Sequence, residues 1–324
     1  MPIEGEATTQ FATLHWNLAE DGVTVTTPTI SMTTDKSASK QNDLLYAVTK
    51  STRTETASEQ EDKNYANGVA KLNFRHALSQ IVFKAQNLNK NIYVEIQEVQ
   101  VCNVNSVGTF TYKAGEVTDK NFVKHDNSTD FDAGVKGIGS WASNTLYDAT
   151  TDDFGPKAVQ QDGEAVVDLT DNVDTDVDAD PSTRNYKHSL LLIPQTADAW
   201  VPGTGGLPDA TEQTGAYFKV RCKIWNVAAG DGSIDKDVVL WDNVKSDNTT
   251  AQYIYVPVKV AWEVGKKYIY TIKFTSDGHG GYTEEGKDVL IPITFSVTVD
   301  DFAKGADQTG DVDGGIAPVV TPAP

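Results

Sequence analysis

Two cysteines in 324 residues, Cys102 and Cys222, are too few for a disulfide framework, and neither has a second cysteine at metal-binding spacing. Each lies in an apolar-patterned strand, one in either half of the chain, so both read as small buried hydrophobes in separate domains. Basic charge is also scarce. With 27 Lys and Arg against 46 Asp and Glu the net charge is −19, which repels phosphate backbones and excludes nucleic acid as a partner. No apolar run approaches membrane-spanning length, and no signal peptide opens the chain. The five histidines, His15, His76, His125, His188 and His279, are scattered, with no pair at the i, i+4 spacing of a helical zinc site. GxSxG elbows, P-loops and dinucleotide fingerprints are absent, and GTGG at 203–206 lacks the strand-to-helix context that would make it more than a loop. Neighbouring carboxylates such as Asp300–Asp301 point apart along a strand, so they form no acid/base pair, and Asp301 reads as a strand end. The sequence therefore predicts no catalytic residue, no cofactor and no metal.

A sustained helical period is missing as well, and alternation of apolar and polar residues fills its place. In VAKLNFRHALSQIVFKAQN, residues 69–87, Leu72 and Phe74 share one parity whereas Ile81, Phe83 and Ala85 have the other. Both halves can face one core only if an extra residue is inserted between Arg75 and Gln80, so HALSQ predicts a bend in a long strand, with His76 satisfied by local backbone. Ile92–Val104 slips parity in the same way at Gln97–Glu98. Asn105–Gly108 has turn chemistry, and with Phe110 and Tyr112 beyond it predicts a hairpin. Earlier, FATLHWNL (11–18) reads as a short strand, VTVTTPTI (23–30) as an edge segment broken by Pro28, and DLLYAV (43–48) as a third strand. Between 49 and 67 the chain is polar without period and predicts a mobile surface loop, in which Arg53 is an exposed arginine suited to a trypsin-like protease.

Residues 113–163 predict short strands and long loops, and AVVDL (165–169) a strand closing the first domain. DNVDTDVDAD (171–180) is acidic and followed by Pro181, and reads as an interdomain linker. Asp174, Asp176 and Asp178 have the alternate spacing of a calcium loop, but Ala179 stands where the sharp turn needs Gly and Asn185 where the bidentate Glu belongs, so the linker reading is preferred. HSLLLIPQ (188–195) predicts a strand buried on both faces or at a domain seam. YFKVRCKIW (217–225) alternates Phe218, Val220, Cys222 and Ile224 against Lys219, Arg221 and Lys223, the pattern of a half-exposed antiparallel strand. Strands at 238–241, 253–260, 268–274 and 291–299 follow. The fold class is all-β, with two sandwiches the expected architecture.

FRHALSQIVF, then VQVCNVNSVGTF, LLLIPQ, WEVGKKYIYTIKF and FSVTVDDF, resembles in content and order the fimbrillin family of type V pilins from gut and oral anaerobes, over about residues 43 to 302. The resemblance implies two tandem transthyretin-like Greek-key sandwiches, here 1–178 and 179–302, with a C-terminal tail at 303–324. It implies a non-enzymatic shaft subunit of surface fimbriae, exported to the outer membrane as a lipoprotein precursor and matured by arginine-specific removal of an N-terminal strand, for which Arg53 is the candidate site. Partners would be copies of itself and related pilins, with host or bacterial surface ligands as further ones. In the tail, Val312, Ile316, Val319 and Val320 are the candidate donor-strand residues that would insert into a neighbour. Ile316 and Val319 differ in parity, and Pro318 and Pro322 each lack a donor. A tip or adhesin-like protein is the alternative, which would need an exposed aromatic platform from Trp141, Trp200 or Trp241. A β-sandwich glycosidase would need two convergent carboxylates, which no pattern here selects.

Overall fold

The computed structural model describes residues 3–8, 12–18, 29–46, 75–112, 139–159, 165–170, 188–202, 207, 215–227, 234–239, 252–276, 280–289 and 291–301. In chain order the strands are β1 (Ile3–Thr8), β2 (Ala12–Leu18), β3 (Thr29–Thr33), β4 (Leu45–Tyr46), β5 (Arg75–His76), β6 (Ser79–Asn87), β7 (Ile92–Tyr112), β8 (Gly139–Thr150) and β9 (Lys157–Val159). They continue with β10 (Val166–Asp168), β11 (Leu190–Leu192), β12 (Thr196–Ala197), β13 (Tyr217–Val227), β14 (Ile234–Val239), β15 (Gln252–Pro257), β16 (Val260–Ala261), β17 (Lys266–Phe274) and β18 (Ile293–Asp301). One 3₁₀ turn, Ala38–Lys40, follows β3. The fold is an all-β sandwich. Its larger sheet runs β1-β2-β3-β7-β13-β14, with β15 on β13 and both β8 and β9 on β7; the facing sheet runs β10-β6-β17-β18, with β11 on β6.

The strand β7 organises the molecule. At 21 residues it is about 70 Å long, far beyond the usual five or six residues of a strand. Its first half, Ile92–Cys102, pairs with β13, and its second half pairs with β3 on one side and β8 on the other. The first half faces the second sheet, and Val94, Ile96, Val99, Phe218, Val220, Ile224, Ile81, Phe83, Tyr270, Ile272 and Phe274 fill the space between as the larger core. Each such aliphatic or aromatic side chain taken fully out of water stabilises the fold by ~1.5–3 kcal/mol. A smaller core lies under the second half, made of Ile30, Met32, Leu44, Tyr46, Ala77, Leu78, Phe110 and Ile193.

The parity slips are physical features. Arg221 pairs with Glu98 but Cys222 pairs with Ile96, so Gln97 is the extra residue of a bulge, and Ile96 and Val99 both point into the larger core. The predicted bend is a break at Ala77–Leu78 between β5 and β6, which belong to different sheets. Residues 69–74 lie outside the described residues. The apolar run at 190–193 is buried on both faces, as Leu190 and Leu192 enter the larger core while Leu191 and Ile193 enter the smaller one.

Several expectations need correction. Asn105–Gly108 makes no turn, because β7 continues through it; register shifts against β8 absorb the irregularity, and Asn103 adopts φ 61°, a left-handed value that Asn tolerates. The segment after Pro28 is no edge, since β3 lies between β2 and β7. His76 Nδ1 meets a side chain, the Asp43 carboxylate, at 2.5 Å. Cys102 and Cys222 are free and buried, but they lie on the adjacent strands β7 and β13, with Cys102 opposite Tyr217 and Cys222 opposite Ile96. About five residues of strand separate them, too far for a disulfide. The expected boundary at 178/179 falls within 171–187, outside the described residues. Strands from its two sides share both large sheets and the larger core: β7 with β13, and β6 in parallel with β17. The described strands are thus interleaved across it. Composition sees a local acidic stretch, whereas complementary apolar faces far apart in sequence decide the pairing.

Phe218 contacts Phe83, Tyr270 and Phe295 at ring separations of 5.1, 4.9 and 5.5 Å, mostly edge to face. Phe218→Ala is expected to cost about 3–5 kcal/mol in urea denaturation; a loss below about 1 kcal/mol would show that this ring does not centre the core.

Candidate functional site

The seam between the two cores is where the N-terminal segment is held. Strand β3 alternates, with Ile30 and Met32 buried between more open neighbours, and pairs Ile30 with Phe110 and Met32 with Gly108. Behind it β2 lays Leu14 on Ile30 and Ala12 on Met32. Gly108 lacks a side chain for a packing reason: a Cβ there would stand 2.8 Å from Trp141 Cε3 and 3.0 Å from Ile193 Cδ1. The Trp141 ring thereby packs against Phe110 at 5.3 Å, and its Nε1 donates to the Ala77 carbonyl at 2.7 Å. Thr34 anchors the exit of β3, its N–H and hydroxyl both donating to Ser106 O at 2.9 and 3.1 Å and its Oγ1 sharing a hydrogen bond with Tyr147 at 2.8 Å. Ala77 N donates to Leu44 O at 2.8 Å beside the β4–β5 ribbon. The described strands β2 to β4 are thus laid on β7 and β5 through backbone pairing, a few apolar side chains and polar anchors such as Thr34.

The fimbrillin-like family model matches residues 15–301 of this chain. The chain belongs to the fimbrillin-like family. This is a structural, non-enzymatic family of fimbrial and surface-adhesion type. Solved structures similar to the fimbrillin-like chain include proteins proposed to act in cell adhesion from three Bacteroides species. That of Bacteroides uniformis is 12% identical over 90% of this chain and 77% of its own, with a TM-score of 0.26. That of Bacteroides ovatus is 12% identical over 91% and 70%, with a TM-score of 0.24. That of Bacteroides eggerthii is 12% identical over 86% and 79%, with a TM-score of 0.30. Among curated proteins none matches.

Several polar groups among the described residues of the fimbrillin-like chain brace the fold. Arg221 sits between Glu98, 3.4 Å from its Nε, and Asp153, which takes its Nη2. Glu98 also accepts from Gln100 Nε2 at 2.7 Å and Thr150 Oγ1 at 2.6 Å, so this carboxylate is consumed in bracing the bulge. Asp153 accepts from Gly155 N, which with Arg221 holds its carboxyl below the ordinary value. Burial raises the Cys102 and Cys222 thiols, Cys102 well above the ordinary range, which keeps both protonated. Tyr268 is pushed up to about 12 by burial, against the pull of Glu263 N–H, which donates to its oxygen at 2.8 Å. His188 Nδ1 meets Thr151 O at 2.7 Å. Among the described residues no three or more His, Cys, Asp or Glu gather as metal ligands.

Two of the three tryptophans considered as a binding platform are packed inward. Trp141 covers Phe110, and Trp200 is buried among Tyr217, Tyr255 and Tyr282. Trp241 lies outside the described residues, as do Arg53, Val312, Ile316, Val319, Val320 and the acidic run Asp174, Asp176 and Asp178. Sequence reading missed Met32 and Gly108. The signal for Gly108 was its place within an alternating stretch, where a lone glycine marks a close approach as readily as a turn.

Gly108→Ala is expected to destabilise by about 1–3 kcal/mol through overpacking, with a changed near-ultraviolet tryptophan signal from Trp141; an unchanged melting curve and spectrum would contradict the close approach. At Asp152, burial opposes ionisation, but hydrogen bonds from Ser37 Oγ and from Ser39 N at 2.9 Å outweigh it and hold the carboxyl below its ordinary 3.8. A carboxyl lowered on folding contributes stability above its unfolded value and loses it as pH falls through the folded one. Asp152→Asn is therefore expected to be less stable than the parent at pH 7, with the gap closing on acidification below about pH 4. Thermal melts across that window check the sign, and a widening gap would reverse it.

Proposed function

We propose that this fimbrillin-like chain is a shaft subunit of cell-surface fimbriae, exported to the outer membrane and polymerised when the tail of one copy fills a strand position in the next. The observation that carries the reading is the way β3 lies on β7: a short strand with two alternating apolar side chains, Ile30 and Met32, between the β7 edge and the small core. Arg53 falls after β4 and before β5 in the sequence, so cleavage there would sever β1 to β4 from the rest of the chain. What then holds them is backbone pairing, the buried side chains of Ile30, Met32, Ala38, Leu44 and Tyr46, and the hydrogen bonds of Thr34, Ser37, Gln41 and Asp43. Their departure would uncover Phe110, Leu78 and Ile193 and leave the outer edge of β7 at 107–111 without its strand.

An incoming strand restores both losses, with backbone hydrogen bonds along β7 and alternate side chains in the core. In the tail Val312, Ile316 and Val320 share one parity and suit such a slot, with Val319 on the opposite face. Copies of the same chain and related pilins are the natural partners, since each would present the same slot and the same tail.

The test compares the full chain with one ended after Phe302, both matured by an arginine-specific protease and examined by electron microscopy. Fibres from the full chain alone, with an unchanged melting temperature in the shortened one, are the expected result. Fibres from the shortened chain would exclude the tail as donor. Arg53→Ala is expected to leave the N-terminus uncut and the protein unable to form fibres, and N-terminal sequencing of the matured parent locates the cut.

A further inference from the structure

The last described strand ends the second sheet with an edge that, among the described residues, is largely uncovered. Thr275 N donates to Pro292 O at 3.0 Å, in register with the β17–β18 ladder. Backbone groups in an antiparallel pair alternate, so Thr294, Ser296, Thr298 and Asp300 turn theirs toward β17, whereas Phe295, Val297 and Val299 turn their N–H and C=O outward. Among the described residues β18 pairs with β17 alone. Only its beginning is covered, where Gly280 lies so close to the Ile293 carbonyl oxygen that a Cβ would overlap it. Side chains follow the same alternation: Phe295 and Val297 pack on the larger core, Val299 is 40% exposed, and Ser296 and Thr298 lie open on the other face. From Ile293 to Val299 there is no Pro, Lys or other charge, none of the devices that commonly blunt an edge.

We propose that this edge pairs antiparallel with the β18 edge of a second copy, about a two-fold axis through Val297. The strand is self-complementary in that register. Val297 meets its symmetry mate and Phe295 meets Val299, all three with outward N–H and C=O, so every free group finds a partner. The exposed Val299 is covered by the Phe295 ring of the other copy. Ser296 stands opposite Thr298, a hydroxyl pair, and Asp300 stands opposite Thr294, so no like charges face each other. This pairing is independent of the fimbrial reading, which uses β7 and the tail.

So short an edge buries much less than the ~1,200 Å² of stable complexes, so the association is expected to be weak and reversible, visible at roughly 100 μM. The net charge of −19 makes it stronger at high salt, where repulsion between copies is screened. Sedimentation of the full chain, untreated with protease, is expected to show a concentration-dependent dimer. Val299→Lys, which places a charge on the core-facing side of the edge, is expected to weaken it at least ~10-fold at an unchanged melting temperature. Ser296→Cys with Thr298→Cys, opposed across the axis, is expected to give an oxidised covalent dimer, with the buried native cysteines uninvolved. A monomer at every concentration and salt overturns the proposal. So does a dimer that survives Val299→Lys with no cross-link; if that dimer is lost on removing residues 303–324, the tail is the occupant instead.

Discussion

A strand that serves two cores must change the face it presents, and that constraint governs β7 and everything around it. Side chains repeat every second residue, so a regular strand of this length would carry one apolar face from end to end. Instead Ile92, Val94 and Ile96 point into the larger core, and the Gln97 bulge resets the parity so that Val99 and Val101 do so too. A second insertion around Asn103, at φ 61°, resets it again before Val104 and, further on, Phe110. Without these insertions the strand would turn half of its apolar residues to water, each misplaced Val or Ile costing about 1.5–3 kcal/mol.

The other segments at the seam solve the same problem differently. The chain breaks at Ala77–Leu78, which gives those two residues to the small core and releases Ile81 and Phe83 to the large one. The run at 190–193 uses no irregularity and simply buries both faces, one in each core. Gln195 then locks this run to β7 by imitating a strand residue with its side chain: Oε1 accepts from Asn105 N at 2.7 Å, while Nε2 donates to Asn105 O at 3.1 Å and to Ile193 O at 3.0 Å. A buried amide with these needs met is worth keeping where the backbone itself is irregular, since an unmet one would cost ~1–3 kcal/mol.

Local pattern carried as far as the strands and their bulges, and no further. The slip at Gln97, the break in HALSQ, the alternation of Tyr217–Trp225 and the doubly buried LLLI were all legible, because each is a statement about period two in a short window. The slip at Asn103 was equally present in the parity of Val101 and Val104, but Asn105, Ser106 and Gly108 carried the stronger turn signal and masked it. Which strand lies beside which was not legible. The pairing of β6 with β17 and of β7 with β13 joins segments more than a hundred residues apart, chosen by complementary faces that no local window contains. The functional readings divide the same way: Trp141 and Trp200 look like platform residues in isolation, and only their neighbours Phe110, Tyr217 and Tyr255 show that the first packs on a core and the second lies within one.

Charge limits how such a chain can associate. At −19 two copies repel, and every surface that relied on opposite charge would need a basic patch that this composition hardly supplies. Backbone pairing escapes that limit, because N–H and C=O groups are presented alike whatever the side chains carry, and the side chains that accompany them at an edge are apolar or hydroxylic. The two places proposed for an added strand have that character: the β7 edge now taken by Ile30 and Met32 of β3, and the β18 edge at Phe295, Val297 and Val299. The acidic surface would then act as a filter on the proposed contacts. On these proposals it would weaken contacts that rely on side-chain charge and favour strand addition, whose backbone hydrogen bonds need no opposite charge, while still limiting its strength at low salt.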